Sequence, residues 1–266
     1  MRRLFLYGGI PDNFESNSAP FVKAAGGPSA KIALLLQGGP DWETYVSRYR
    51  DPWLRLGAAE VVPIVPAGDT TRLSAEALTH LRECTGIFMV GGGDTRRYRE
   101  IYVLSEAGSI IKERYMAGIP YGGMSAGALV VPEVGIVWGS KVTEPTNQYL
   151  VRTEFYLDPE GDGDVELGVG EGLGLLRDCI VEVHCTELGG LPRMIQAVEL
   201  AEATHGLGMD DPICLAIQDE TRVKVHGSGR AYVARRLGSL RFEIQVLEPG
   251  DEFEMTPHTT QYAVRT

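Results

Sequence analysis

The sequence predicts a three-layer α/β protein, α/β/α, with a mostly parallel central sheet and antiparallel hairpins at its C-terminal end. Three observations carry this. Short aliphatic runs alternate with amphipathic helical stretches through the first two-thirds of the chain, the pattern of repeated βαβ units. Gly, Pro or Asp bounds each run, as expected of buried strands. From Val223 onward the pattern changes to the alternation of antiparallel strands.

Taken in order, Leu4 to Tyr7, Ile32 to Leu36, Val61 to Val65 and Ile87 to Val90 read as strands, with helices over Trp42 to Leu56 and Leu73 to Arg82 between them. Ala107 to Met116 has helical spacing, Gly118 to Tyr121 is a short extended run, and Ala128 to Val131 opens a further helix. Cys179 to Val183 reads as a strand after a glycine-rich turn at Gly172 to Leu176. Val223 to His226 and Ala231 to Ala234 flank Gly227-Ser228-Gly229-Arg230 as strands of a hairpin added to the main sheet, and Arg241 to Val246 alternates again. Parallel crossovers are right-handed and sites form beyond the carboxyl ends of the strands. Without repeats, low-complexity linkers or long charge blocks, residues 1–266 read as one domain.

Composition narrows the function. With 44% hydrophobic and 23% charged residues the chain can bury an ample core. No stretch approaches the roughly 18 apolar residues of a membrane span, and Met1 to Gly9 reads as a first strand, not a signal peptide. The expected location is therefore the cytoplasm, with no membrane partner. Cys84, Cys179, Cys185 and Cys214 lack paired-ligand spacing, which suits a reducing compartment and predicts no metal. A formal net charge of -11 argues against nucleic acid. The acidic, glycine-rich stretch Asp158 to Asp164 lacks the calcium-loop pattern with its closing glutamate and reads as an exposed loop.

Chemistry is concentrated at Gly123-Met124-Ser125-Ala126-Gly127, which follows an apolar run. This is the G-x-S-x-G form of a nucleophile elbow, where a sharp strand-to-helix turn lifts a serine hydroxyl to the sheet edge. Such a serine needs a base. Of five histidines, His184 ends an apolar strand and is placed to reach the same sheet edge as Ser125; His258 and His205 are the next candidates. Gly91-Gly92-Gly93-Asp94-Thr95 follows a strand and opens a helix, so a backbone N–H from Gly92, with that of Ala126, could hold an oxyanion. Neither a phosphate-binding lysine nor a second glycine set follows, which excludes a P-loop and a dinucleotide fingerprint. No cofactor is expected.

These segments together resemble the peptidase E and cyanophycinase family of serine peptidases. The resemblance rests on Gly91 to Thr95, Gly118 to Ala128, Gly172 to Leu176 running into His184, Gly206-Leu207-Gly208-Met209-Asp210-Asp211, and the segment around Val225 to Gly229. It implies a fold like class I glutamine amidotransferases (flavodoxin-like), a Ser-His-acid triad, and cleavage of dipeptides with N-terminal aspartate or of the aspartate-arginine polymer cyanophycin. It also points to a homodimer. The family's placement of the acid between serine and histidine favours Glu144, with Glu133 and Glu182 as alternatives. Two departures concern substrate. After the histidine only Arg193 matches a family arginine, and Asp94 stands where the family carries a neutral amide, so it would welcome an ammonium or guanidinium group. The separation of Glu144 from His184 implies an insertion around residues 145–170. The expected activity is thus a serine peptidase with Ser125, His184 and Glu144 catalytic, Gly92 and Ala126 forming the oxyanion hole, and Asp94 and Arg193 meeting substrate. A binding or regulatory protein on the same fold, or an esterase using His258, are the alternative readings.

Overall fold

Strands that are apolar on both faces must be covered on both faces, and this requirement organises the molecule. In the structure, a computed structural model, residues 1–39, 41–68, 70–92, 94–138 and 167–255 are described. The first half of the chain supplies β1 (Arg3–Tyr7), β2 (Lys31–Leu35), β3 (Glu60–Ile64), β4 (Gly86–Met89) and β5 (Tyr121–Met124), all parallel in the order β1-β5-β4-β2-β3. Helix α1 (Phe14–Ala24) joins β1 to β2 and α2 (Trp42–Arg55) joins β2 to β3, both moving outward across the sheet. Helix α3 (Ala75–Glu83) leads back to β4, followed by a short α4 (Thr95–Tyr98), a π turn at Arg99–Val103 and α5 (Glu106–Met116) before β5. Because the direction of travel reverses after β3, right-handed crossovers put α1 and α2 on one face and α3 and α5 on the other. The contacts agree: α1 packs on α2, and α3 on α5. Three layers follow.

Ser74 and Ser105 start α3 and α5, their hydroxyls accepting the N–H of Ala77 (3.1 Å) and Ala107 (3.2 Å). Beneath α1 and α2 lies an aromatic cluster centred on Phe88 of β4. Its ring stands 4.9 Å from that of Trp53, 5.3 Å from Phe21, 5.6 Å from Tyr7 and 5.8 Å from Tyr49.

Beyond β5 come α6 (Ala126–Leu129), the antiparallel pair β6 (Val134–Trp138) and β7 (Gly168–Glu171), then β8 (Cys179–Glu182), α7 (Cys185–Leu188) and α8 (Gly190–Leu200). The chain continues with β9 (His205–Met209), β10 (Ile213–Gln218), β11 (Arg222–Gly227), β12 (Ala231–Gly238), β13 (Arg241–Leu247) and β14 (Glu252–Glu254). Here the architecture departs from the sequence expectation. Strands β11 and β12 are not partners in a hairpin: β11 joins β10 and β14 on the main sheet, while β12 pairs with β9 and β13 in a second sheet ordered β13-β12-β9-β8. The glycine segment between them is captured elsewhere. Ser228 N–H donates to Pro212 O (3.1 Å), and Arg230 exchanges backbone and side-chain bonds with Asp210. The chain thereby crosses between sheets. Strand β8 likewise belongs to the second sheet, not to the main one.

One apolar core runs from Leu4 to Met255, and a smaller cluster including Ile180, Met194, Val198 and Ala234 fills the space between the second sheet and α8. At the exit of β8, Glu182 and Arg193 form a forked ion pair (2.6 and 2.7 Å) with relative exposures of 0% and 5%. Glu182 also accepts the N–H of Val183 (2.8 Å). All four cysteines are buried.

Two stability predictions follow from this packing. Phe88→Ala should lower the urea-unfolding free energy by about 3–5 kcal/mol, because a ring enclosed on all sides leaves a cavity. Arg193→Leu should cost about 3–5 kcal/mol by stranding the buried Glu182 carboxylate. A double variant with Glu182→Leu should recover much of that loss, and an equal loss in the double would show that volume, not charge, is responsible.

Candidate active site

Ser125 sits where β5 ends and α6 begins, with φ 50° and ψ −120°, a backbone region costly for any residue with a side chain. Neighbours hold it there. Its N–H donates to Tyr7 O (3.0 Å), and its carbonyl accepts from Ala128 (2.8 Å) and Leu129 (3.1 Å). The Tyr121 hydroxyl donates to Gly127 O (3.1 Å) and fixes the far side of the turn. The loop after β4 comes so close that a β-carbon on Gly91 would stand 2.7 Å from that of Ser125. Gly is the residue this approach admits.

His184 leaves the end of β8 with left-handed backbone angles, φ 54° and ψ 42°. Its Nε2 lies 2.8 Å from Ser125 Oγ. The structure brings these two sequence candidates together, although they come from different sheets. On the other side of the ring, Nδ1 contacts Oδ1 of Asp211 in the turn between β9 and β10. A carboxylate accepts only, so this contact assigns the ring proton to Nδ1 and leaves Nε2 as the acceptor facing Ser125.

Asp211 is a carboxylate at this ring that the sequence singles out only as the end of the Gly206 to Asp211 segment. Glu144 lies outside the described residues, as does His258. Glu133 occupies the turn before β6, bonded through its backbone to Leu176 (2.8 Å) and Gly172 (2.9 Å). Glu182 is buried against Arg193, as described above. His205 begins β9, at the opposite end of that strand from Asp211.

As the first residue of α6, Ala126 has an N–H without an intrahelical acceptor. Gly92 is exposed and has a positive φ of 79°; Gly93 lies outside the described residues. Asp94 caps α4 by accepting the N–H of Arg96 (2.8 Å), and its carboxylate pairs with the Arg96 guanidinium at 3.0 Å. This pairing compensates the charge that was expected to attract a cationic substrate group. The backbone of Asp94 is held in turn by the Gln37 side-chain amide, which both donates to its carbonyl and accepts from its N–H (3.2 Å). Arg193, expected to meet substrate, is instead buried in its ion pair with Glu182. Its guanidinium shapes the exit of β8.

The arrangement can transfer a proton from a serine hydroxyl to an imidazole backed by a carboxylate, the chemistry of an acyl-transferring hydrolase. Among the described residues, no group of three or more His, Cys, Asp or Glu side chains is placed to hold a metal ion. None of the described helices is long and apolar enough to cross a membrane.

Comparison with known proteins is consistent with this chemistry. The model for peptidase family S51 matches residues 28–225. The chain is 24% identical over 261 residues to a cyanophycinase from Synechococcus elongatus, covering 91% of this chain and 75% of the relative. It is 25% identical over 210 residues to a cyanophycinase from Geminocystis herdmanii, covering 79% and 71%. Among solved structures, a peptidase from an acI-B1 actinobacterium superposes with a TM-score of 0.67 at 16% identity, over 96% of this chain and 97% of that one. A candidate peptidase E protein from Listeria monocytogenes gives 0.55 at 18% identity, over 86% and 100%. Those two likenesses establish the shared fold. With the family model matched over most of its length, the chain belongs to peptidase family S51 and is a serine-type peptidase.

Proposed function

We propose that the chain, acting as one unit over residues 1–266, hydrolyses a peptide bond in a small peptide or a cyanophycin-like Asp/Arg polymer through a Ser125-His184-Asp211 triad. The observation that carries the reading is the continuous contact from Ser125 Oγ through both ring nitrogens of His184 to Asp211. The substrate class is taken from the cyanophycinases that the chain resembles.

Ser125 Oγ attacks the carbonyl carbon while its proton passes to His184 Nε2. The negative charge that develops on the carbonyl oxygen is held by the N–H groups of Gly92 and Ala126. Collapse breaks the C–N bond, and His184 returns the proton to the departing amine. Water then attacks the acyl ester, giving its proton to the same nitrogen, and His184 passes that proton to Ser125 Oγ as the ester bond breaks and the acid product leaves. Throughout, Asp211 keeps the imidazole in the tautomer that presents Nε2 as a base and balances the imidazolium charge. Asp211 takes the role expected of Glu144. Asp94, with Arg96 as its partner, borders the cleft at the end of the oxyanion loop.

The test is hydrolysis of a panel of dipeptides, including those with N-terminal aspartate, and of cyanophycin, with products identified by mass. Ser125→Ala should reduce turnover on the order of 10⁴-fold or more, since the members of a triad act as a unit. Asp211→Asn should reduce it by roughly 10³- to 10⁴-fold through loss of the correct tautomer. Retention of full activity by the Ser125 variant would sink the reading. An inactive Ser125 variant beside a fully active Asp211 variant would move the acid elsewhere and leave the nucleophile in place.

A further inference from the structure

The acid of the triad is itself held by a second carboxylate. His184 is followed by Cys185-Thr186-Glu187, which make the first turn of α7. Cys185 is buried at the end of β9, where its Sγ would lie 2.8 Å from a β-carbon on Gly208. That contact lays the turn alongside Asp210 and Asp211. Two bonds then cross between the segments in opposite directions. Thr186 N–H donates to Asp210 Oδ1 (3.0 Å), and Asp211 N–H donates to Glu187 Oε1 (3.1 Å). Asp210, only 5% exposed, also accepts the N–H of Arg230 (2.9 Å) and so ties the pair to the start of β12. From the far side Gly9 donates its N–H to Asp211 O (3.0 Å), and a β-carbon at Gly9 would lie 2.7 Å from the Asp211 carboxyl carbon. The backbone of Asp211 is thus clamped at both its N–H and its C=O. Its carboxylate is left to meet His184.

We infer that Glu187 is a positioning residue for Asp211, fixing the backbone that aims the Asp211 carboxylate at His184. The inference rests on the triad reading given above. Glu187 is a costly place for an anion. Partial burial raises its pKa, the neighbouring Asp211 and Asp210 raise it further, and the Asp211 N–H and its own backbone oppose the rise. A half-exposed carboxylate in that position could turn to solvent, yet it stays on the Asp211 amide. The charges that act on it are those of Asp210 and Asp211 from the β9–β10 turn; Tyr232 of β12 approaches through the Thr186 hydroxyl (2.9 Å).

The test uses the whole chain with ¹⁵N-labelled histidine. The ring ¹⁵N signals of His184, which report the hydrogen bond at Nδ1, are compared by NMR in the wild type, Glu187→Gln, Glu187→Ala and Asp211→Asn, and Ser125 labelling by a fluorophosphonate is measured on the same samples. Glu187→Gln keeps the acceptor for the Asp211 N–H. It should leave the Nδ1 signal in place and the labelling rate within about twofold. Glu187→Ala should move the Nδ1 signal toward that of Asp211→Asn and slow labelling roughly tenfold, because Asp211 is no longer held in place. An unchanged Nδ1 signal and labelling rate in Glu187→Ala, with a clear change in Asp211→Asn, would overturn the inference and leave the triad standing. No change in Asp211→Asn, in signal or in labelling, would remove the triad reading itself.

Discussion

A serine held at a φ of 50° is the constraint on which the rest of the site depends. Such a backbone persists only where its surroundings leave no alternative. The parallel strands provide those surroundings. Tyr7 of β1 accepts the Ser125 N–H, and the loop after β4 closes over the turn at Gly91, where a side chain would collide with the serine. The aromatic cluster around Phe88 lies beneath the same strands and resists their separation. Stability in the core and exposure of one hydroxyl are therefore two results of the same packing.

The imidazole beside it and the carboxylate behind that come from elsewhere. His184 and Asp211 leave the ends of β8 and β9, neighbouring parallel strands of the second sheet, whereas Ser125 leaves β5 of the first. The 2.8 Å contact between Ser125 and His184 spans the junction of the two sheets. The buried Glu182–Arg193 pair and the smaller apolar cluster under α8 stiffen the exit of β8 on its own side.

Much of this was legible in the sequence, for reasons that are local. The parallel strands are short aliphatic runs, and β1 to β4 lie within a residue or two of where the pattern put them. The turn at Ser125 shows in small residues around a strand end, and the strand before His184 in an apolar run. The contact of Asp211 with His184 gives no such sign, because it depends on how two sheets join. The same non-local cause misplaced Arg193: an arginine looks like a substrate ligand until the buried Glu182 beside it is seen. It also misassigned β11 and β12, whose alternation fits a hairpin but whose partners were decided by the open edges of β10 and β9. Glu144 stays outside the described residues, while Asp211 meets the ring nitrogen that an acid would have to meet.

The position of β1 carries a consequence for how the protein is made. This strand is made long before β10, yet it ends up inside the main sheet, flanked by β5 on one side and by β10 on the other. Until residues 213–218 are synthesised, one of its edges has no native partner. The growing chain must carry that open edge while the intervening elements are added, and the long sequence separation of β1 and β10 makes the closing step slow. Asp211 arrives just before β10, so the serine acquires its full set of partners only as the sheet is sealed. A nascent or truncated chain that lacks residues 205–218 therefore holds Ser125 without the contacts that the full chain gives it.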